Sequence, residues 1–195
     1  MTYPDPPVML LDVDGVLNAW GPYPGATTKN RRLNALWGCK MDRGVAFCNG
    51  REWTLKWAAP LMRRLVDLHE SGAVEIRWCS TWSGQTEDLS RLLGLPDFPS
   101  AFDATGLHWT EVARLKRRTA ARVQDVEGRR LVWVDDHEVP HHWELAHAAM
   151  TLDGRSLLIR PKESLGLLPG DMDQIELFCG YKQYMVDPEI EEMMP

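Results

Sequence analysis

The sequence predicts a three-layer α/β/α domain on a parallel sheet, with a small β-hairpin flap after the first strand. Three observations predict it. Short apolar runs at 8–13, 74–79, 131–134 and 156–159 alternate with helical patterns, as in a parallel sheet covered on both faces. Two of these runs lead into acidic residues (Asp12 and Asp14; Asp135 and Asp136) and a third into Ser80-Thr81. Ligands in such sheets bind outside the carboxyl ends of the strands. Finally, Asn49-Gly50 lies between two β-prone runs, the strongest short-range signal for a hairpin.

The elements follow in order. Val8 to Val13 reads as a buried strand that delivers Asp12 and Asp14 to its end, where Gly15 permits a sharp exit. Residues 18–42 are rich in Gly, Pro, Asn and Arg and read as a loop, with a short helix around Arg31 to Trp37. The hairpin spans Gly44 to Trp57. Leu61, Leu65 and Leu68 share a helical face that starts near Pro60 and stops at Gly72. After the strand from Val74 to Cys79, a helix runs from Gln85 to Leu93 and a basic helix from Trp109 to Val123. The strand from Leu131 to Val134 precedes a helix from Val139 to Met150. A last strand covers Ser156 to Ile159 and a last helix Asp171 to Tyr184. The acidic tail, 186–195, is expected to fray.

Bulk properties bound the function. A chain of 195 residues suffices for one α/β domain with a proper core. The net charge of −6 excludes a nucleic-acid coat protein. The four cysteines are scattered without a Cys-x-x-Cys pair, which fits reduced thiols. No apolar run approaches the roughly 20 residues that span a bilayer, and the polar, proline-rich start is unlike a signal peptide. A cytoplasmic protein without a membrane partner is expected.

The strand ends carry the chemistry. Asp12 and Asp14, two apart, would share a face if the strand continued. Converging carboxylates repel unless a proton or a hard cation sits between them. Asp135 and Asp136 add further oxygens, and an all-carboxylate set without thiolates suits Mg²⁺ better than Zn²⁺.

The run Asp12-Val13-Asp14-Gly15-Val16-Leu17-Asn18 resembles motif one of the haloacid dehalogenase (HAD) superfamily, a hydrophobic strand followed by Asp-x-Asp-Gly. Ser80, or alternatively Thr81, stands where motif two requires. Lys116, in a run with Arg114, Arg117 and Arg118, stands where motif three requires, and Asp135-Asp136 matches the acidic motif four. The resemblance covers nearly the whole chain. It implies one Rossmann-like, HAD-like catalytic domain over 1–185, with 18–59 as a flap or small cap.

The resemblance also implies roles. Asp12 is the nucleophile that forms an aspartyl-phosphate. Asp14 is the general acid, then the general base. Ser80 holds a phosphoryl oxygen, and Lys116 neutralises charge and orients Asp12. Mg²⁺ is held by Asp12, Asp14 (through its backbone carbonyl), and Asp135 or Asp136. The second Asp of motif one marks phosphatases rather than dehalogenases. The small cap leaves an open site, with Trp53, Trp57, Trp20 and Trp37 candidates to line the flap.

The chain is similar to small family members of bacteria and their phages, some of them like phosphatase modules of RNA-repair proteins. Arg31-Arg32 and the cations from Arg114 to Arg122 offer phosphate contacts, and tryptophans offer stacking surfaces. The expected partner is a phosphorylated small molecule, a nucleotide or a nucleic-acid end. Two other readings share the motifs: a phosphotransferase to an acceptor other than water, and a HAD fold used as a protein-binding or regulatory module. With no Gly-Lys dipeptide, the chain contains no P-loop kinase. The string His137-Glu138-Val139-Pro140-His141 matches a zinc peptidase pattern, which Pro140 breaks by interrupting the helix it requires.

Overall fold

The computed structural model describes residues 5–19 and 27–181. Trp20, the acidic tail and the end of the last expected helix lie outside the described residues.

The first strand, β1 (Val8–Leu11), lies inside a four-stranded parallel sheet. After α1 (Thr27–Trp37) comes the hairpin of β2 (Asp42–Cys48) and β3 (Arg51–Trp57). Then follow α2 (Ala59–Glu70), β4 (Glu75–Trp78), α3 (Glu87–Leu93), α4 (Trp109–Asp125), β5 (Leu131–Val134), α5 (Leu145–Thr151), β6 (Ser156–Ile159) and α6 (Pro169–Cys179). The sheet order is β4-β1-β5-β6, so β1 pairs in register with both β4 and β5.

All four side chains of β1 are fully buried, because both sheet faces are covered. The pleat sorts them. Met9 and Leu11 enter a large core with Leu61 and Leu65 of α2, Leu89 of α3 and Ile175 of α6. Val8 and Leu10 face the other way, into a smaller core with Ala120 and Val123 of α4 and Trp133 of β5. These are the two outer layers of the expected sandwich.

The flap is the antiparallel hairpin that Asn49-Gly50 signals. Both residues have positive φ (50° and 74°), as a type I′ turn requires. Its inner face is not a substrate wall. Ala46, Cys48, Leu55 and Trp57, with Trp37 of α1, are buried in the large core. Trp57 and Trp37 are therefore structural, and Trp53 is the half-exposed one, its Nε1 donating to the Cys48 carbonyl at 3.2 Å.

Several helix boundaries depart from the sequence reading; α3 starts at Glu87 rather than Gln85, and α4 ends at Asp125 rather than Val123. The helix expected around Arg31 to Trp37 starts earlier, at Thr27. The helix expected from Val139 is only α5, from Leu145. Pro140 opens a turn in which the backbone N of His141 donates to Glu144 Oε1 at 3.0 Å, so the helix waits for the next turn. At the last helix, Pro169 occupies the first turn two residues ahead of Asp171. Gly180 ends it with φ 77°, the left-handed stop that glycine accepts without penalty.

Candidate active site

The parallel ladder carries three strand ends to one edge. The backbone N of Asp12 donates to the Val134 carbonyl at 3.1 Å, that of Asp135 to the Ile159 carbonyl at 3.2 Å, and that of Cys79 to the Leu11 carbonyl at 2.9 Å. Asp12, Asp135 and the Ser80 loop thus emerge side by side, as the strand pattern predicts.

Lys116 meets them from α4. Its Nζ lies 2.7 Å from Asp12 Oδ2 and 2.8 Å from Asp135 Oδ2. Lys116 is 6% exposed, whereas Arg114, Arg117 and Arg118 are all exposed, so only Lys116 of this run reaches the strand ends. Asp135 is fully buried, and its other oxygen accepts the backbone N–H groups of His137 (2.9 Å) and Glu138 (2.7 Å). The zinc-peptidase string is thereby a tight turn rather than a helix.

Oxygens of Asp12, Asp135 and Asp136 lie within 4.8 Å of one another. Burial pushes the Asp12 carboxyl up to about 7, against the pull of Lys116. Burial and the neighbouring Asp135 charge lift Asp136 to about 6. The two carboxylates raise the Lys116 ammonium, which stays charged. Three carboxylates against one ammonium leave net negative charge in a dry place. The oxygen-only donor set fits a hard divalent cation.

A pH dependence follows. A cation must displace protons from Asp136 and Asp12, so its affinity rises as pH climbs through about 6 to 7. The Mg²⁺-induced rise in Tm should be small at about pH 5 and large at about pH 8. An equal shift at both pH values would place the cation elsewhere.

Asp14 sits apart from this cluster and is clamped. Asn18 Nδ2 donates to its Oδ1 and Trp82 Nε1 to its Oδ2, each at 3.0 Å. Asn18 in turn accepts from the Lys56 backbone N at 3.0 Å, tying the base of the flap to Asp14. The flap tip is latched by reciprocal amide contacts between Asn49 and Gln85, 2.9 and 2.7 Å.

Gly15 makes the turn possible twice over. Its φ is 71°, and a Cβ there would lie 2.2 Å from Asp136 Oδ2. Gly15→Ala should cost about 1–3 kcal/mol of stability and displace Asp136. A calorimetric titration should then show weaker Mg²⁺ binding; unchanged affinity would contradict the placement of Asp136 at the cation site.

Ser80 is fully buried near the Asp12 carboxyl, and its hydroxyl accepts from the Trp82 backbone N at 3.4 Å. Thr81 is exposed and lines the cleft. Cys79 lies beneath. Burial, opposed only by Lys116, holds it as a thiol, so it is no rival nucleophile. The cleft has a volume of about 320 Å³, with Asp12, Asp14 and Lys116 among its polar lining, Glu163 on its wall and Trp109 beside Val112.

The sequence reading assigned no role to Asn18, Trp82, Gln85, Trp109 or Glu163. Asn18 has a signal, four residues after Asp14 across a glycine turn. Trp109 also has one, seven residues before Lys116 on the same helix; Trp82, Gln85 and Glu163 reach the site through tertiary contacts that no local spacing encodes.

Among the described residues no helix is long and apolar enough to cross a membrane. No curated protein and no solved structure matches the chain at a significant level. A family model described as "HAD domain in Swiss Army Knife RNA repair proteins" matches residues 8–167, which take in β1, the flap, Ser80, Lys116 and the two aspartates that follow β5. The chain belongs to that family of the haloacid dehalogenase superfamily.

Proposed function

We propose that the chain is a Mg²⁺-dependent phosphomonoesterase that removes a terminal phosphate from a nucleotide or a nucleic-acid end through an aspartyl-phosphate on Asp12. One observation carries the reading. A buried carboxylate–ammonium–carboxylate cluster opens onto a cleft, and a further carboxylate on the same cleft, Asp14, is fixed by two donors. The nucleic-acid part of the reading rests on the family, whose description names RNA repair proteins.

The chemistry follows from these positions. An oxygen of Asp12 attacks phosphorus in line while the ester P–O bond breaks, and Asp14 gives its proton to the departing oxygen. Water then attacks the aspartyl-phosphate, Asp14 takes its proton, and Asp12 is regenerated as inorganic phosphate departs. Lys116 pulls the Asp12 carboxyl towards its charged form and holds it at the cleft. Ser80, buried beside Asp12, would donate to the bound phosphoryl group. Mg²⁺, held by Asp12, Asp135, Asp136 and the Asp14 carbonyl, would neutralise phosphoryl charge.

Asp14→Asn should separate the two steps. With p-nitrophenyl phosphate, whose phenolate leaves without a proton, the variant should give a burst of about one nitrophenolate per enzyme and then stall. With an alkyl ester both steps fail. Unimpaired steady turnover of both esters would remove Asp14 from its role.

The overall reading is tested by phosphate release from mononucleotides, 3′- and 5′-phosphorylated oligonucleotides and sugar phosphates, with Mg²⁺ and with EDTA. The expected result is EDTA-sensitive release, fastest from nucleotide-bearing substrates. Release confined to sugar phosphates would remove the nucleic-acid assignment, and no release at all would remove the phosphatase.

A further inference from the structure

Trp109 is 67% exposed, yet it lines the same cleft as Asp12 and Lys116. It is the first residue of α4, and Lys116 is the eighth. Seven residues are nearly two full turns, so the two side chains share a helical face about 10 Å apart along the axis. Val112 and Ala113, also in the cleft wall, fill the stripe between them. The wall therefore runs from a charged floor that can grip a phosphoryl group, over a short apolar ramp, to an open indole at the rim.

The indole also has a neighbour on one side. His108 caps the helix: its ring accepts from the Thr110 backbone N and approaches Thr110 Oγ1 at 2.9 Å, while the His108 backbone N donates to Glu111 Oε2 at 2.9 Å. The capped imidazole packs against the indole at 5.6 Å between ring centroids. A large aromatic at a cleft mouth has few rotatable bonds and loses little conformational entropy when a flat ring lies on it.

We infer that Trp109 is the specificity-determining platform on which the nucleobase next to the scissile phosphate stacks. The inference deepens the phosphatase reading and rests on it. A sugar bridging phosphate and base fits the apolar ramp of Val112 and Ala113. These two residues bring no side-chain hydrogen-bond donor or acceptor to the base edge, so stacking on this wall is tolerant of base identity. This wall thus selects a terminal nucleoside phosphate over a bare sugar phosphate by stacking.

The test compares full-length wild type, Trp109→Ala and Trp109→Phe on two end-phosphorylated oligonucleotides that differ only in whether the terminal residue carries a base. Wild type should favour the base-bearing end in kcat/KM by about 5- to 150-fold, the range one stacked base supplies. Trp109→Ala should bring that ratio close to one, and Trp109→Phe should keep most of it. A wild-type ratio near one, or a ratio that survives in Trp109→Ala, overturns the inference.

A second arm measures binding of the same two oligonucleotides by fluorescence anisotropy in the Asp12→Asn background, where turnover is not needed. Base-dependent binding that Trp109→Ala abolishes supports the platform even if phosphate release fails, so the two failures are told apart. Equal loss of affinity for both ends shows a structural role and overturns it.

Discussion

Asp12→Asn should lower phosphate release by about 10³-fold or more while leaving the fold intact, because it removes the attacking oxygen and little else. The amide keeps the shape of the carboxylate. Lys116 keeps Asp135 as its partner at 2.8 Å. The change also relieves a charge that the interior resists. Asp12 titrates near 7 in the folded chain against an ordinary value of 3.8. Folding stability drawn from this group is thus full below about pH 4 and falls as pH climbs towards 7. Without metal, Asp12→Asn should therefore match or exceed the wild-type Tm at neutral pH. An inactive variant with a raised or equal Tm would mark lost chemistry, and a variant with full activity would exclude Asp12 as nucleophile.

Lys116→Met should be the opposite kind of variant, damaging both fold and activity. It leaves Asp12 and Asp135 buried with no counter-charge, a change that costs about 3–5 kcal/mol when one partner of a buried pair is removed. Turnover should fall with it, since nothing then holds Asp12 ionised and aimed. The metal supplies a diagnostic. Added Mg²⁺ brings positive charge back to the same carboxylates, so it should raise the Tm of Lys116→Met more than that of wild type. Equal Mg²⁺ shifts in the two proteins would separate the cation from the cluster that Lys116 neutralises.

The sheet and most of the carboxylate cluster were legible because their signals are local. Each core strand is a short apolar run, and the acids follow directly at its end. Lys116 was legible in principle too. Val112, Lys116, Ala120 and Val123 fall on one helical stripe and are all buried, while Arg114, Arg117 and Arg118 are exposed. A lysine on the apolar side of an amphipathic helix is a lysine with an interior partner.

What was missed needed tertiary contacts. Trp82 follows the third strand end with no local cue to its role, and only its approach to Asp14 gives its indole N–H a task. Trp57 and Trp37 suggested a flap lining because tryptophans near an open site invite that reading, but the hairpin lays its inner face on the main core. Trp109 drew no notice as the first residue of a basic helix. Its meaning comes from the cleft it borders. Pro140 misled because a proline suits a first helical turn, and here Glu144 caps a non-helical turn instead.

The central claim is that Asp12 carries the phosphoryl group. Turnover of a phosphorylated oligonucleotide with Mg²⁺ would be quenched in acid, and the protein reduced with borohydride, which converts an aspartyl-phosphate to homoserine. Peptide sequencing should find homoserine at position 12 in wild type, and none there in Asp12→Asn or without substrate. Rapid turnover with no homoserine at position 12, or homoserine at another aspartate, would contradict the account.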